Sequence, residues 1–172
     1  MLQVTLWDSD SIESHNIPNQ AFGVKMIGRN KAKAMKSIVK RDTGLNYTAK
    51  GHWNGEKLGS LVFSCVDSME VRKQILESME SGLFIEVRMG VYHGQVFTID
   101  TSIEEERKFW HDNYVSDDLV EEKSACGTSL TIGNTANLLS SLAGWQAIKY
   151  MNNEKPPRCL TACVNSYAII EV

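Results

Sequence analysis

The sequence predicts an α/β layered fold in a single domain spanning residues 1–172, with a largely parallel sheet in its first half. Three observations lead there. Short segments of strand character alternate with longer ones whose apolar residues recur at helical spacing. The run "SLVFSCV" at residues 60–66 is almost continuously apolar, as a parallel strand covered on both faces should be. A chain of 172 residues is also long enough to bury roughly 70% of its unfolded surface in one core.

Taken in order, Leu2, Val4 and Leu6 alternate with Gln3 and Thr5 to give a strand that ends at Asp8. Over residues 30–40 the apolar residues Ala32, Met35, Ile38 and Val39 fall at helical spacing, and Gly44 closes the helix. Residues 46–53 form a second, more polar strand, and Trp53-Asn54-Gly55-Glu56 supplies a turn. After the apolar strand, Asp67 and Ser68 stand at the entry to a helix in which Val71, Ile75 and Met79 recur every fourth residue; either could cap it. "LFIEVRMG" and "YHGQVFTID" are two strands separated by little more than Gly90, a hairpin or a closely spaced pair. Residues 103–122, the most acidic stretch, make a helix followed by a surface loop. The longest helical pattern, 129–151, carries Ile132, Ala136, Leu139, Ala143, Ala147 and Tyr150 on one stripe, and Pro156 and Pro157 end it. Its small residues Ala136, Ser140 and Gly144 let another backbone approach closely. Two short strands, at 160–164 and 167–171, complete the chain.

Charge and composition exclude several function classes. With 18 basic and 21 acidic residues the formal charge is -3, which gives no electrostatic footprint for nucleic acid or an anionic membrane. The apolar runs fall far short of the ~20 residues of a membrane helix, and no basic segment followed by an apolar one opens the chain, so a cytoplasmic location is expected. Reduced thiols at Cys65, Cys126, Cys159 and Cys163 suit that compartment. Cys159 and Cys163 flank three residues, but a zinc site would want a second such pair; structural thiols are the expectation.

The chemistry-bearing segment is "LWDSDSIESHNIPNQ", residues 6–20, in which two aspartates end an apolar run. In α/β folds ligands bind beyond the carboxyl ends of parallel strands, and an acidic residue there commonly bonds a nucleotide ribose. Asp8 is placed for that task; the alternative is that Asp8 and Asp10 begin a loop or cap a turn. Asp67 ends the next strongly apolar strand. It would hold Mg²⁺ on a nucleotide's phosphates, or cap the following helix. Asp8 and Asp67 are expected on one edge of one parallel set, facing a shared cleft.

These residues carry a resemblance. "WDSDSIESHNIPNQ" is similar to the ThiF family of ubiquitin-activating-type adenylyltransferases, whose pattern reads D-x-D-x-V/I-x-x-x-N-x-x-R-Q after the second strand. "IGRNKAKA" resembles the family's G-x-x-K-A helix entry, "VFSCVDSMEVRKQI" its strand, Asp and Arg-bearing helix, and "GNTANLLSSLAGWQAIKYM" its long late helix. The resemblance implies a Rossmann-like three-layer domain with a mostly parallel sheet. It also implies an enzyme that transfers AMP from ATP to a C-terminal carboxylate, often of a ubiquitin-like or sulfur-carrier protein. Carried over by position, Asp8 binds the ribose, Asp10 belongs with it to the cofactor-binding residues, Asn16 and Gln20 line the nucleotide site, Lys31 contacts phosphate and Asp67 coordinates Mg²⁺ as the catalytic carboxylate. Cys126 is the positional candidate for the thioester cysteine of some relatives.

Departures from the family pattern shape the expected activity. The family has a strand and a glycine-rich phosphate loop ahead of the point where this sequence starts, and no G-x-G-x-x-G occurs in the 172 residues, so the domain reads as truncated at its N-terminus. Asn19 stands where the family has arginine, replacing a cation on the triphosphate by a neutral amide. Weak ATP binding by the isolated chain is therefore expected. A missing central strand would leave two sheet edges unpaired, for which a homodimer is the expected cover. The competing expectations are a non-catalytic binding or dimerisation module of the same fold and, less well matched, a nicotinamide-binding fragment.

Overall fold

The computed structural model describes residues 3–119 and 133–172, in two compact units, Met1–Glu56 and Lys57–Val172. In the first, strand β1 (Thr5–Trp7) pairs in parallel with β2 (Thr48–Lys50), and helix α1 (Lys31–Thr43) connects them. A parallel pair needs such a crossover, because its strands must both start from the same end. Gly44 closes α1 in the left-handed conformation, φ 75°, donating to the Lys40 carbonyl, as the sequence predicts. The segment between β1 and α1 folds through two short 3-10 turns. It places Ile12 and Phe22 against Ala34, with Ile17, Met26, Met35 and Ile38 packed around them.

The second unit is a five-stranded sheet in the order β3 (Leu61–Ser64), β4 (Leu83–Met89), β5 (His93–Asp100), β6 (Cys159–Cys163), β7 (Ala168–Glu171). β3 and β4 are parallel, joined through helix α2 (Met69–Ser78), and every later pairing is antiparallel. The β4–β5 hairpin closes with the Gly90 amide donating to the His93 carbonyl. The architecture is a mixed α/β, Rossmann-like fold with its parallel segments in the first half of the chain.

Alternation along β4 and β5 sets the layers. Leu83, Ile85 and Val96 face helix α4 (Gly133–Met151), where they meet Leu139, Ala143 and Ala147. Phe84 and Phe97 face the other way. Phe84 meets Trp110 edge-on and Phe97 lies against Phe109, both on helix α3 (Glu104–Asp112). Gly94 is required where α4 crosses β5: a Cβ there would lie 2.5 Å from the Arg88 carbonyl oxygen and press on Leu139 Cδ1. The Arg107 guanidinium donates to the Leu76 and Met79 carbonyls, tying α3 to the end of α2.

Several expectations need correction. The strands ending at Asp8 and Asp67 do not belong to one parallel set: β1 pairs with β2 and β3 with β4, in separate sheets, and no described strand pairs with both. β3 is not covered on both faces, since Phe63 is 47% exposed. α4 ends before the prolines. Asn153 turns left-handed at φ 59°, and the Glu154 amide returns to the Lys149 carbonyl, so the helix is stopped by local capping. The small residues Ser140 and Gly144 of α4 do not form its packing face: among the described residues no atom beyond the neighbouring turns of the helix lies within 4 Å of a Cβ built on Gly144, Ser140 is exposed, and the buried stripe runs through Thr135, Leu139, Ala143 and Ala147. Tyr150, expected on that stripe, is exposed. Ile132 and Cys126 lie outside the described residues.

Candidate functional site

β1 delivers the chain to a turn that Asp8 itself builds, its Oδ1 accepting the Asp10 amide at 2.8 Å. Asn30, one residue ahead of α1, organises the rest. Its carbonyl oxygen Oδ1 caps the helix by accepting the Lys33 amide at 3.0 Å, while Nδ2 donates to the main-chain oxygens of Asp8 at 2.7 Å and Asp10 at 3.2 Å. The helix start is thereby stitched to the strand end. Lys31 follows: its amide donates to the Asp10 carbonyl at 2.8 Å and its ammonium meets Asp10 Oδ2 at 2.9 Å. Its side chain is only 18% exposed, whereas that of Asp10 is 65% exposed. Among the described residues, no hydrogen bond engages Asp8 Oδ2.

The structure thus brings Asp8, Asp10 and Lys31 together and adds Asn30. The signal for Asn30 was present in the sequence, an asparagine directly before a helical run, but its reach back to the Asp8 and Asp10 carbonyls is tertiary. Asn16 and Gln20 are not joined to this group by any hydrogen bond among the described residues. Asn16 is buried and shapes its own loop: Oδ1 accepts the Glu13 amide at 2.9 Å, and its carbonyl accepts the amides of Asn19 at 3.1 Å and Gln20 at 2.9 Å. Gln20 is exposed. Arg29 donates to Ser37 Oγ at 3.2 Å.

Asp67 stands in the second unit, exposed, with Oδ1 accepting the Ser68 amide at 3.0 Å. Ser68 is the cap of α2, its Oγ accepting the Val71 amide at 3.3 Å, so the cap left open between two residues falls to Ser68. Asp117, from the acidic stretch 49 residues downstream, joins it: Oδ1 accepts the Met69 amide at 2.7 Å and Oδ2 the Ser68 hydroxyl at 3.0 Å. The Met69 amide, first among several donors, holds the Asp117 carboxyl below the usual range. No local sequence pattern foretells this contact. Both oxygens of Asp117 are engaged, whereas Asp67 Oδ2 has no hydrogen bond among the described residues, so Asp67 is the carboxylate available to a cation. Among the described residues no group of three or more His, Cys, Asp or Glu could hold a metal by itself. A single carboxylate fits Mg²⁺ that arrives with nucleotide phosphates supplying its other ligands.

A different set of charges is sealed in the core. Glu86 is 0% exposed; its Oε1 accepts from Arg72 at 2.9 Å and Arg88 at 2.6 Å, and its Oε2 from the Trp110 indole. Arg72 also donates to the Val87 carbonyl at 2.7 Å, and the Arg88 guanidinium lies 4.0 Å over the Phe97 ring. This network binds α2, α3 and β4 together and is closed to ligands.

The fold is like that of MccB and PaaA. The chain superimposes on MccB, described as the microcin C7 biosynthetic enzyme in complex with N-formylated MccA, with a TM-score of 0.78 and 13% identity over 99% of this chain and 57% of that one. Escherichia coli MccB with ATP gives a TM-score of 0.74 at 13% identity, covering 98% and 55%. PaaA gives 0.69 at 14% identity, covering 98% and 64%. The chain therefore spans little more than half the length of the MccB chains it matches. No family model and no curated protein matches the sequence. No described helix is long and apolar enough to cross a membrane.

Proposed function

We propose that this protein is an adenylyltransferase-type nucleotide binder that acts on a C-terminal carboxylate, with ATP and Mg²⁺ as cofactors. The observation that carries this reading is the Asp8–Asp10–Asn30–Lys31 cluster, in which a strand end and a helix start are locked together. One aspartate oxygen is left to accept from a ribose hydroxyl, and one ammonium is held where a phosphate could share it. In the second unit, the resemblance gives Asp67 the part of Mg²⁺ ligand. In the reaction proposed, an acceptor carboxylate oxygen forms a bond to the α-phosphorus, the bond from that phosphorus to the bridging oxygen breaks, and pyrophosphate leaves with the electron pair. Lys31 would reduce the repulsion between the carboxylate and the polyphosphate. MccB, which shares the fold, has been crystallised with ATP and with AMPCPP and MccA, and this supports the same ligand class here. A ubiquitin-like or sulfur-carrier protein is the acceptor that the resemblance suggests.

Asn19 supplies no charge and no G-x-G-x-x-G occurs in these 172 residues, so weak binding is expected of this chain by itself. Calorimetric titration with Mg-ATP is the test: weak, saturable binding that Asp8→Asn and Lys31→Met each reduce is expected. Binding that both variants leave intact would overturn the assignment of the cluster. A second reading, a non-catalytic binding or dimerisation module, is favoured by the edge strand β7, where Ile169 and Ile170 are 53% and 58% exposed. Light scattering tests it, a dimer mass supporting that reading and a mass near 19.3 kDa refuting the homodimer.

A further inference from the structure

Lys31 and Asp10 are paired, but unequally. The ammonium meets Asp10 Oδ2 at 2.9 Å, and the lysine side chain is 18% exposed against 65% for the aspartate. Lys31 opens α1 between its cap Asn30 and the buried Ala32, so its side chain starts from a fixed point of the fold. The main chain of Asp10 is held as firmly. Its amide donates to Asp8 Oδ1 at 2.8 Å, and its carbonyl accepts the Lys31 amide at 2.8 Å and Asn30 Nδ2 at 3.2 Å. The carboxylate alone is left to move. Among the described residues Lys31 is its one hydrogen-bond partner, and most of its surface lies in water.

An enclosed cation beside a wet, rotatable carboxylate makes an exchangeable pair. Swinging Asp10 into water costs little, because an exposed ion pair adds little to stability. The ammonium has less water to fall back on and needs an anion in place of the one it loses. Any anion that reaches Lys31 must therefore displace a carboxylate that the chain itself tethers there, a competitor present at an effective concentration in the millimolar range.

We propose that Asp10 is the resident counter-ion of Lys31, which the polyphosphate of a bound nucleotide displaces, and that it thereby limits the affinity of the site. This role rests on the proposed nucleotide site and changes the part of Asp10 within it. Asp8, whose Oδ2 has no hydrogen bond among the described residues, is left to the ribose. Asp10 competes with the phosphates instead of helping to hold the ligand.

The test is calorimetric titration of the whole chain with Mg-ATP, sodium tripolyphosphate and adenosine. Asp10→Asn keeps the shape of the side chain and removes its charge. It should tighten ATP and tripolyphosphate about fivefold, the value of two unit charges about 4 Å apart in water, and leave adenosine unchanged. Asp10→Ala should act in the same direction. In a Lys31→Met background the gain from Asp10→Asn should largely vanish, because no ammonium is left to release. A purely structural role would instead weaken binding in both backgrounds. Unchanged or weaker Mg-ATP binding by Asp10→Asn would overturn the proposal, weaker binding making Asp10 a ligand of the nucleotide or its cation. An equal gain with and without Lys31 would overturn it too, leaving Asp10 as a source of repulsion only. Failure of the nucleotide site itself looks different: ATP then binds to no variant, or binds equally to the unaltered chain, Asp8→Asn and Lys31→Met, and the counter-ion role falls with it.

Discussion

The Asp8–Lys31 cluster and the Glu86 network are built from the same chemical groups, yet they differ in what surrounds them. In the first, one carboxylate is 65% exposed and one cation pairs with it from a helix start. In the second, a carboxylate without any exposure receives two guanidinium groups and an indole. Water screens the former, so its ion pair adds about 0–1 kcal/mol to stability and its groups remain able to exchange partners. The latter lies in a low dielectric, where an unpaired charge is costly and every partner must stay in place. A carboxylate–cation pair is therefore exchangeable in one region and fixed in the other, and burial decides between them.

The largest effect that would break this contrast is at Glu86. Glu86→Ala leaves Arg72 and Arg88 without their carboxylate and should cost about 3–5 kcal/mol, measured by urea unfolding. A loss comparable to that of Lys31→Met would show that the network is hydrated. Gly94→Ala comes next, at about 1–3 kcal/mol in the same assay, because the new methyl meets the Arg88 carbonyl and Leu139 on a packed helix–sheet interface. Asn30→Ala removes a helix cap and two bonds to the Asp8 and Asp10 carbonyls; about 1–2 kcal/mol is expected, with Mg-ATP affinity reduced alongside.

The smallest effect sharpens the comparison through pH. Asp117 has a folded-state carboxyl pKa below its unfolded value, chiefly because the Met69 amide donates to it. Its contribution is therefore present above the unfolded carboxylate range and lost as pH falls through the lower folded value. Asp117→Asn should lower the thermal midpoint slightly at neutral pH, with the difference shrinking below about pH 4. A difference that grew in acid would reverse the sign of this linkage.

Much of the fold is legible in the sequence because it is local. The helical spacing of Ala32, Met35 and Ile38 and the stop at Gly44 locate α1, and the strand–Gly90–strand pattern locates the β4–β5 hairpin. Lys31 was legible only as a residue type, since most lysines that open helices are solvated; its enclosure follows from where β1 delivers Asp10. Asp117 was not legible at all, because a carboxylate 49 residues from the cap it completes leaves no periodic trace.

What the sequence by itself determined is the set of elements and the polar residues at their ends, because hydrophobic period, glycine conformation and capping act over a few residues. Only the tertiary structure decided which strands pair. Asp8 and Asp67 end similar apolar strands, yet β1 and β3 enter separate sheets, since pairing depends on the neighbours a strand meets and not on its own composition. The tertiary structure also decided which face of α4 is buried. Its sequence offers apolar and small residues on several sides, and the position of Gly94 on β5 admits Leu139 to the core while Trp145 and Ile148 stay 56% and 41% exposed. Local energies of a few tenths of a kcal/mol select helix or strand, but the close packing of side chains from distant segments selects the face.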